Sequence, residues 1–193
     1  MIRFSPRRLV AALILLITPM LLQADPPPSS SLYQLTVPLI AQDGHAAALD
    51  LYRGHPVLIS MFYASCTAIC PTLIEHIKVL EQSIPDKQRA KSRVLMVSLD
   101  PARDTPAALA ALAKKHQVDL ARWTFARASA SDVRALAAAL GIQYRQLPNG
   151  DFDHSTIISL LDSEGRIVAR NTSLATTDAD LASPLQREVA VVP

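Results

Sequence analysis

The chain has 193 residues and a formal net charge of +2; 50% of its residues are hydrophobic and 19% are charged. Setting aside Arg3, Arg7 and Arg8 lowers the 19 basic residues to 16 against 17 acidic ones, so the rest is nearly neutral and offers no broad basic field for nucleic acid. Two cysteines, Cys66 and Cys70, are too few and too close for the disulfide framework of a small secreted fold, and a domain of about 160 residues buries a core without such a staple.

The first expected element is a leader. Arg3, Arg7 and Arg8 precede an apolar run from Leu9 to Leu22, and Gln23, Ala24, Asp25 and three prolines follow. This is the layout of a secretory signal, cleaved after Ala24 or retained as an N-terminal membrane anchor. Thr18 and Pro19 interrupt the run, which is shorter than the ~20 residues of a comfortable span. Residues 1–24 are therefore expected to export the chain to the periplasm, 25–31 to form a flexible or extended tether, and 32–193 to form one domain.

Within that domain Tyr33 to Val37 alternates as a short strand would, and Leu39 to Leu51 reads as a turn-rich approach. Val57 to Tyr63 is a near-continuous apolar run, expected of a central strand covered on both faces. Leu73, Ile74, Ile77, Leu80 and Ile84 then follow helical spacing, with Pro71 tolerable in the first turn and Pro85 closing the segment. Arg93 to Leu99 is a second buried strand, and Thr105 and Pro106 open an alanine-rich helix that runs to His116. Trp123 to Ala126 is a short strand, and Ser131 to Leu140 a third helix stopped by Gly141. Ile142 to Gln146 and Thr156 to Leu161 read as strands, the latter turning into Arg166 to Ala169, and Pro184 to Val191 as a terminal helix. The pattern describes an α/β domain with a central mixed β-sheet flanked by helices. Its site is expected where strands end at their carboxyl edge, which is where Cys66 and Cys70, the Asp100 to Thr105 loop and the segment before Thr156 converge.

Thiols four residues apart face one side of a helical segment, about 5 to 6 Å apart at Cβ, and can share one metal ion or close a disulfide. A helix N-terminus lowers a cysteine pKa and raises its strength as ligand and nucleophile. Soft thiolates select copper(I), imidazole is an acceptable further ligand, and two sulfurs with one nitrogen make a site awkward for four-coordinate zinc. His45, His55, His76, His116 and His154 are the candidate third ligands. His76 falls on the wrong face of the helix and His116 at a helix C-terminus, where a cation suits the dipole. His154, at the entry to a late strand, has a modest lead, and spacing alone leaves the choice open.

Three motifs in order, Phe62 to Pro71 (FYASCTAICP), Ser98 to Pro106 (SLDPARDTP) and Asp153 to Thr156 (DHST), resemble the Sco/SenC family over almost the whole domain. The resemblance implies a thioredoxin-like fold with copper held by the cysteines of a C-x-x-x-C-P motif and a distant histidine, which map onto Cys66, Cys70 and His154. It also implies a partner, cytochrome c oxidase subunit II or a similar copper-accepting protein, served by copper delivery, by reduction of the recipient cysteines, or both. The family often carries Pro and Asp after its first cysteine, where this chain has Thr67 and Ala68.

The strongest alternative is a metal-independent thiol-disulfide oxidoreductase in which Cys66 and Cys70 form a redox dithiol. The usual thioredoxin pair has two intervening residues rather than three, and thioredoxins place a proline before the late strand where this chain has Asp151, Phe152, Asp153 and His154. A peroxiredoxin-like T-x-x-C pattern at Thr67 and Cys70 lacks its earlier proline, Tyr63 standing there. A purely structural disulfide is the plainest reading. Asp104 or Thr105 is expected to cap the helix that Pro106 begins, Asp100 to orient the site indirectly or shape its loop, and Asp153 to bond near His154 or serve the turn.

Overall fold

The computed structural model describes residues 26–174 and 179–192, so the leader assigned to residues 1–24 lies outside the described residues. Val57–Phe62 (β3) is buried along its whole length, as the apolar run requires. It pairs in parallel with Arg93–Ser98 (β4), which pairs in parallel with Trp123–Arg127 (β5). The hairpin of Leu39–Ala41 (β1) and Ala46–Ala47 (β2) adds antiparallel to β5. On the other side, Ile158–Leu161 (β8) pairs antiparallel with β3, and Ile167–Asn171 (β9) with β8. The main sheet thus runs β2-β1-β5-β4-β3-β8-β9, a mixed sheet with β3 near its middle.

Alternation along β3 divides the core between the two faces. Val57, Ile59 and Met61 join a cluster with Val133, Leu136 and Leu140 of Ala130–Leu140 (α4). Leu58 and Phe62 join one with Leu73, Ile74 and Ile77 of Ile69–Gln82 (α1), Leu109 of Pro106–Lys115 (α3), and Leu181, Leu185 and Val189 of Ala179–Val191 (α5). Each helix lays one apolar stripe on a sheet whose strands are covered on both faces. Thr105 caps α3 by accepting the Ala108 N–H, and Gly141 ends α4 with φ 73°, a left-handed conformation that glycine adopts without a Cβ penalty.

Four local expectations are corrected. The alternating segment at Tyr33 is a 3-10 turn, Leu32–Gln34, with the Ser31 side chain accepting the Tyr33 N–H; alternation over so few residues does not outweigh that cap. The short helix Asp86–Arg89 (α2) begins after Pro85, which closes one helix and opens the next. The terminal helix starts at Ala179, so Pro184 lies inside it, held to the core by Leu181, Leu185 and Val189, all fully buried. Among the described residues, Tyr144–Gln146 (β6) stands outside the main sheet and pairs only with Phe152–His154 (β7), forming a separate two-stranded ribbon. Of the segment read as a tether, Ser31 is docked, bridging to Arg166 and donating its hydroxyl to the Glu164 carbonyl at 2.5 Å.

Candidate metal-binding site

Cys66 lies in the loop that leaves the carboxyl end of β3, and Cys70 is the second residue of α1. The i, i+4 relationship therefore arises from a turn feeding a helix rather than from one continuous helix. The Cys70 backbone N–H donates to the Cys66 sulfur at 3.4 Å. No side chain caps α1 in the ordinary way, and the sulfur takes up a helix N-terminal donor that a Ser or Asp would otherwise satisfy. Both thiols are reduced and nearly covered, Cys66 at 9% exposure and Cys70 at 2%.

Their protonation is asymmetric. Burial alone would raise the Cys66 thiol, but hydrogen bonds from the Cys70 backbone and thiol and from the Ala68 and Ile69 backbone outweigh it and leave the pKa below the ordinary value. Cys70 moves the other way, far above the thiol range. Burial is the main cause, assisted by its own thiol's donation to Cys66 and by the negative field of Cys66 and Asp104. The pair is one thiol poised to ionise beside one held protonated.

His154 ends β7. Its Nδ1 bonds the Ser155 carbonyl at 3.2 Å, which requires the proton on Nδ1 and leaves the Nε2 lone pair unused. Nε2 is buried and has no hydrogen-bond partner. Burial is the main cause of the ring's lowered pKa, so it is neutral near pH 7. A neutral imidazole whose other nitrogen is fixed by a carbonyl is the form in which histidine binds metals. Asp153 is not part of this arrangement: its carboxylate accepts from Arg145 across the ribbon at 2.9 and 3.0 Å.

Tyr63, the last residue before the cysteine loop, joins the two sides and went unmarked as a site residue in the sequence. Its ring meets Phe152 at 5.3 Å between centroids and the His154 ring edge-on at 6.0 Å. Burial first and the neighbouring Cys66 thiol second push its hydroxyl pKa up to about 12. Its position at the carboxyl end of a central strand was the available signal. Among the described residues no three His, Cys, Asp or Glu side chains already stand as a ligand set. Tyr63 lies between the two sides: its carbonyl accepts the Cys66 N–H at 3.2 Å and its ring meets that of His154.

The SLDPARDTP loop supports this assembly. Of the two candidate caps Thr105 fills that role, and Asp104, 2% exposed, does not. The Asp104 carboxylate instead accepts the Ala64 N–H at 2.9 Å and the Ser98 hydroxyl at 2.5 Å through one oxygen, fastening the cysteine loop to the end of β4. The Ser98 oxygen in turn accepts the Asp100 N–H at 2.9 Å. Of the other histidines, His45 bonds Asp43, His55 the Lys91 carbonyl, and His116 Glu75 through Nδ1, its Nε2 being buried without a partner.

A mixed sheet with a dithiol at the junction of its central strand and a helix, and a histidine-bearing segment before the antiparallel neighbour of that strand, defines a thioredoxin-like domain. The SCO1/SenC family model matches residues 29–190, and the chain belongs to that family. It is 26% identical over 134 residues to an SCO2-like protein of Rickettsia conorii, covering 66% of this chain and 63% of the relative. The chain thus spans under two thirds of the length of the curated relatives it matches first. The structure of Bradyrhizobium japonicum ScoI with copper bound superposes with a TM-score of 0.68 at 25% identity, covering 80% of this chain and 98% of that one. BsSco, a member of the Sco family of cytochrome c oxidase assembly proteins described with a disulfide switch, shares the fold at TM-score 0.70 and 20% identity, covering 88% and 99%.

Proposed function

We propose that this protein binds copper(I) through Cys66, Cys70 and His154 and passes it, in the periplasm, to the copper centre of cytochrome c oxidase subunit II or a similar copper-accepting protein. The observation that carries the reading is that His154, with Nδ1 fixed by the Ser155 carbonyl and Nε2 buried without a partner, packs on Tyr63, the residue that leads into the cysteine loop. A buried polar atom without a partner costs about 1 to 3 kcal/mol and calls for a reason, and a soft ion shared with the nearby dithiol supplies one. The lowered Cys66 pKa supports the same reading, because metal binding releases thiol protons and a thiol that is already acidic loses less to that competition. A copper-bound relative that shares the fold supports copper as the cargo.

Titration of the reduced protein with copper(I) against a competing chelator tests the reading on wild type, His154→Ala and the Cys66→Ser, Cys70→Ser double variant. One tightly held copper per chain, weakened by loss of the imidazole and abolished without the thiols, is the expected result. Failure of the wild type to compete would overturn the proposal, as would an unchanged affinity in His154→Ala.

The thiol asymmetry favours one second reading. A Cys66 thiolate beside a protonated Cys70 is the arrangement of an attacking and a resolving thiol. Cys66 attacks a disulfide of the recipient, and Cys70 displaces the mixed disulfide, leaving the recipient as dithiol and this chain oxidised. The reduction would proceed without metal and unaffected by His154→Ala, whereas copper delivery would be lost with that change.

A further inference from the structure

Among the described residues, the two strands of the ribbon that carries His154 pair only with each other. Two strands alone are marginally stable, so the ribbon takes its angle from what it touches. One contact is the packing of Phe152 on Tyr63. Tyr144 and Phe152 also pack against the core, and His154 meets the Tyr63 ring. The polar contact is Arg103, in the loop after β4. Its Nε donates to the Asp100 carboxylate, whose side chain is only 4% exposed, and its Nη2 donates to the Gly150 carbonyl in the turn between β6 and β7. That turn is closed by Gly150 N–H to Leu147 carbonyl at 2.9 Å and Leu147 N–H to Asp151 carbonyl at 2.8 Å. Gly150 itself has φ +87°, and a Cβ there would stand 3.2 Å from the Arg103 guanidinium, so the missing side chain is what admits the close approach.

Through Asp104 and Ala64 the same loop also holds the cysteine segment. One short stretch, Asp100 to Asp104, therefore grips the thiol loop at one end and the histidine ribbon at the other. We infer that Arg103 is a positioning residue for the copper site, a strap from Asp100 to Gly150 that keeps the His154 ribbon seated beside the cysteine loop. The inference rests on the copper(I) reading of the preceding section. A planar guanidinium donates in two fixed directions at once, and a lysine ammonium on a flexible stem does not reproduce that fork.

The test is a copper(I) titration against a competing chelator on reduced wild type, Arg103→Ala, Arg103→Lys, His154→Ala and the Arg103→Ala, His154→Ala double variant. Loss of the strap is expected to weaken copper(I) about 10- to 100-fold, the range for residues that orient a metal ligand, with little recovery in Arg103→Lys. The double variant is expected to bind no more weakly than His154→Ala, because Arg103 acts through the imidazole. Wild-type affinity in either Arg103 variant would overturn the strap, and so would losses that multiply in the double variant. Amide hydrogen exchange on the metal-free protein separates this failure from failure of the copper reading. Arg103→Ala is expected to speed exchange at Leu147, Gly150 and Ser155, and unchanged exchange there would refute the strap whether or not the protein binds copper.

Discussion

Replacing Asp104 separates the two things a buried carboxylate does, carrying charge and accepting hydrogen bonds. Both of its bonds, from the Ala64 N–H at 2.9 Å and the Ser98 hydroxyl at 2.5 Å, end on the same oxygen. Asp104→Ala strands both donors, each at about 1 to 3 kcal/mol if left unsatisfied. The Ser98 hydroxyl can rotate to a new acceptor more readily than a backbone N–H can, so a total of about 2 to 4 kcal/mol is expected. Asp104→Asn keeps a carbonyl oxygen able to accept both bonds and removes the charge that burial penalises; it is expected within about 1 kcal/mol of wild type. The pH dependence follows from the raised Asp104 pKa, which burial causes. A carboxyl that holds its proton more tightly when folded favours the folded state below its unfolded pKa, and this contribution is lost as pH rises through the folded pKa. Wild type should therefore lose stability relative to Asp104→Asn as the pH climbs above the ordinary aspartate value. Denaturant unfolding of the reduced proteins at two pH values on either side of that window measures both effects. An Asp104→Ala variant as stable as wild type, or an Asp104→Asn variant as damaged as Asp104→Ala, would refute the assignment of Asp104 as the fastener of the cysteine loop.

Two further outcomes follow from the same structure. Iodoacetamide should label Cys66 well before Cys70 in the reduced protein, with a Cys66 rate midpoint below the ordinary thiol pKa, because hydrogen bonds lower one thiol and burial raises the other; peptide mapping that finds Cys70 modified first would contradict the asymmetry. At the other end of α1, Glu81 accepts the Trp123 indole N–H at 2.6 Å and pairs with Arg122. Glu81→Ala should cost about 2 to 4 kcal/mol by leaving a buried indole donor unpaired and the Arg122 guanidinium with Asp119 as its remaining carboxylate, readable in denaturant melts through the fluorescence of the chain's 1 tryptophan, and a loss under about 1 kcal/mol would show that water replaces the carboxylate there.

Where burial and period agree, the sequence was a sufficient guide. The apolar run at Val57 and the 3.6-residue stripe from Leu73 required a strand and a helix, because no other arrangement hides those side chains. Thr105 with Pro106, and Gly141, marked helix ends through local backbone chemistry alone. The thiols were legible for the same reason, since a pair at the junction of a central strand and a helix meets a helix N-terminus however the rest of the chain packs.

The contacts between segments distant along the chain were not legible. Ile142 to Gln146 reads as a strand from its residues, but whether it joins the main sheet or pairs with Phe152–His154 is a question of partners, and strand propensity carries no partner. Asp104 lies beside a true cap and looks like one in sequence; only the arrival of Ala64 and Ser98 at its carboxylate shows otherwise. The motifs and the family resemblance singled out Cys66, Cys70 and His154 as residue types suited to a soft metal. The tertiary structure decided what lies between them, with Tyr63 beside both the cysteine loop and His154 and Arg103 spanning from Asp100 to Gly150. Hydrogen bonds and ring contacts across tens of residues depend on where the folded chain brings its loops, which local sequence does not encode.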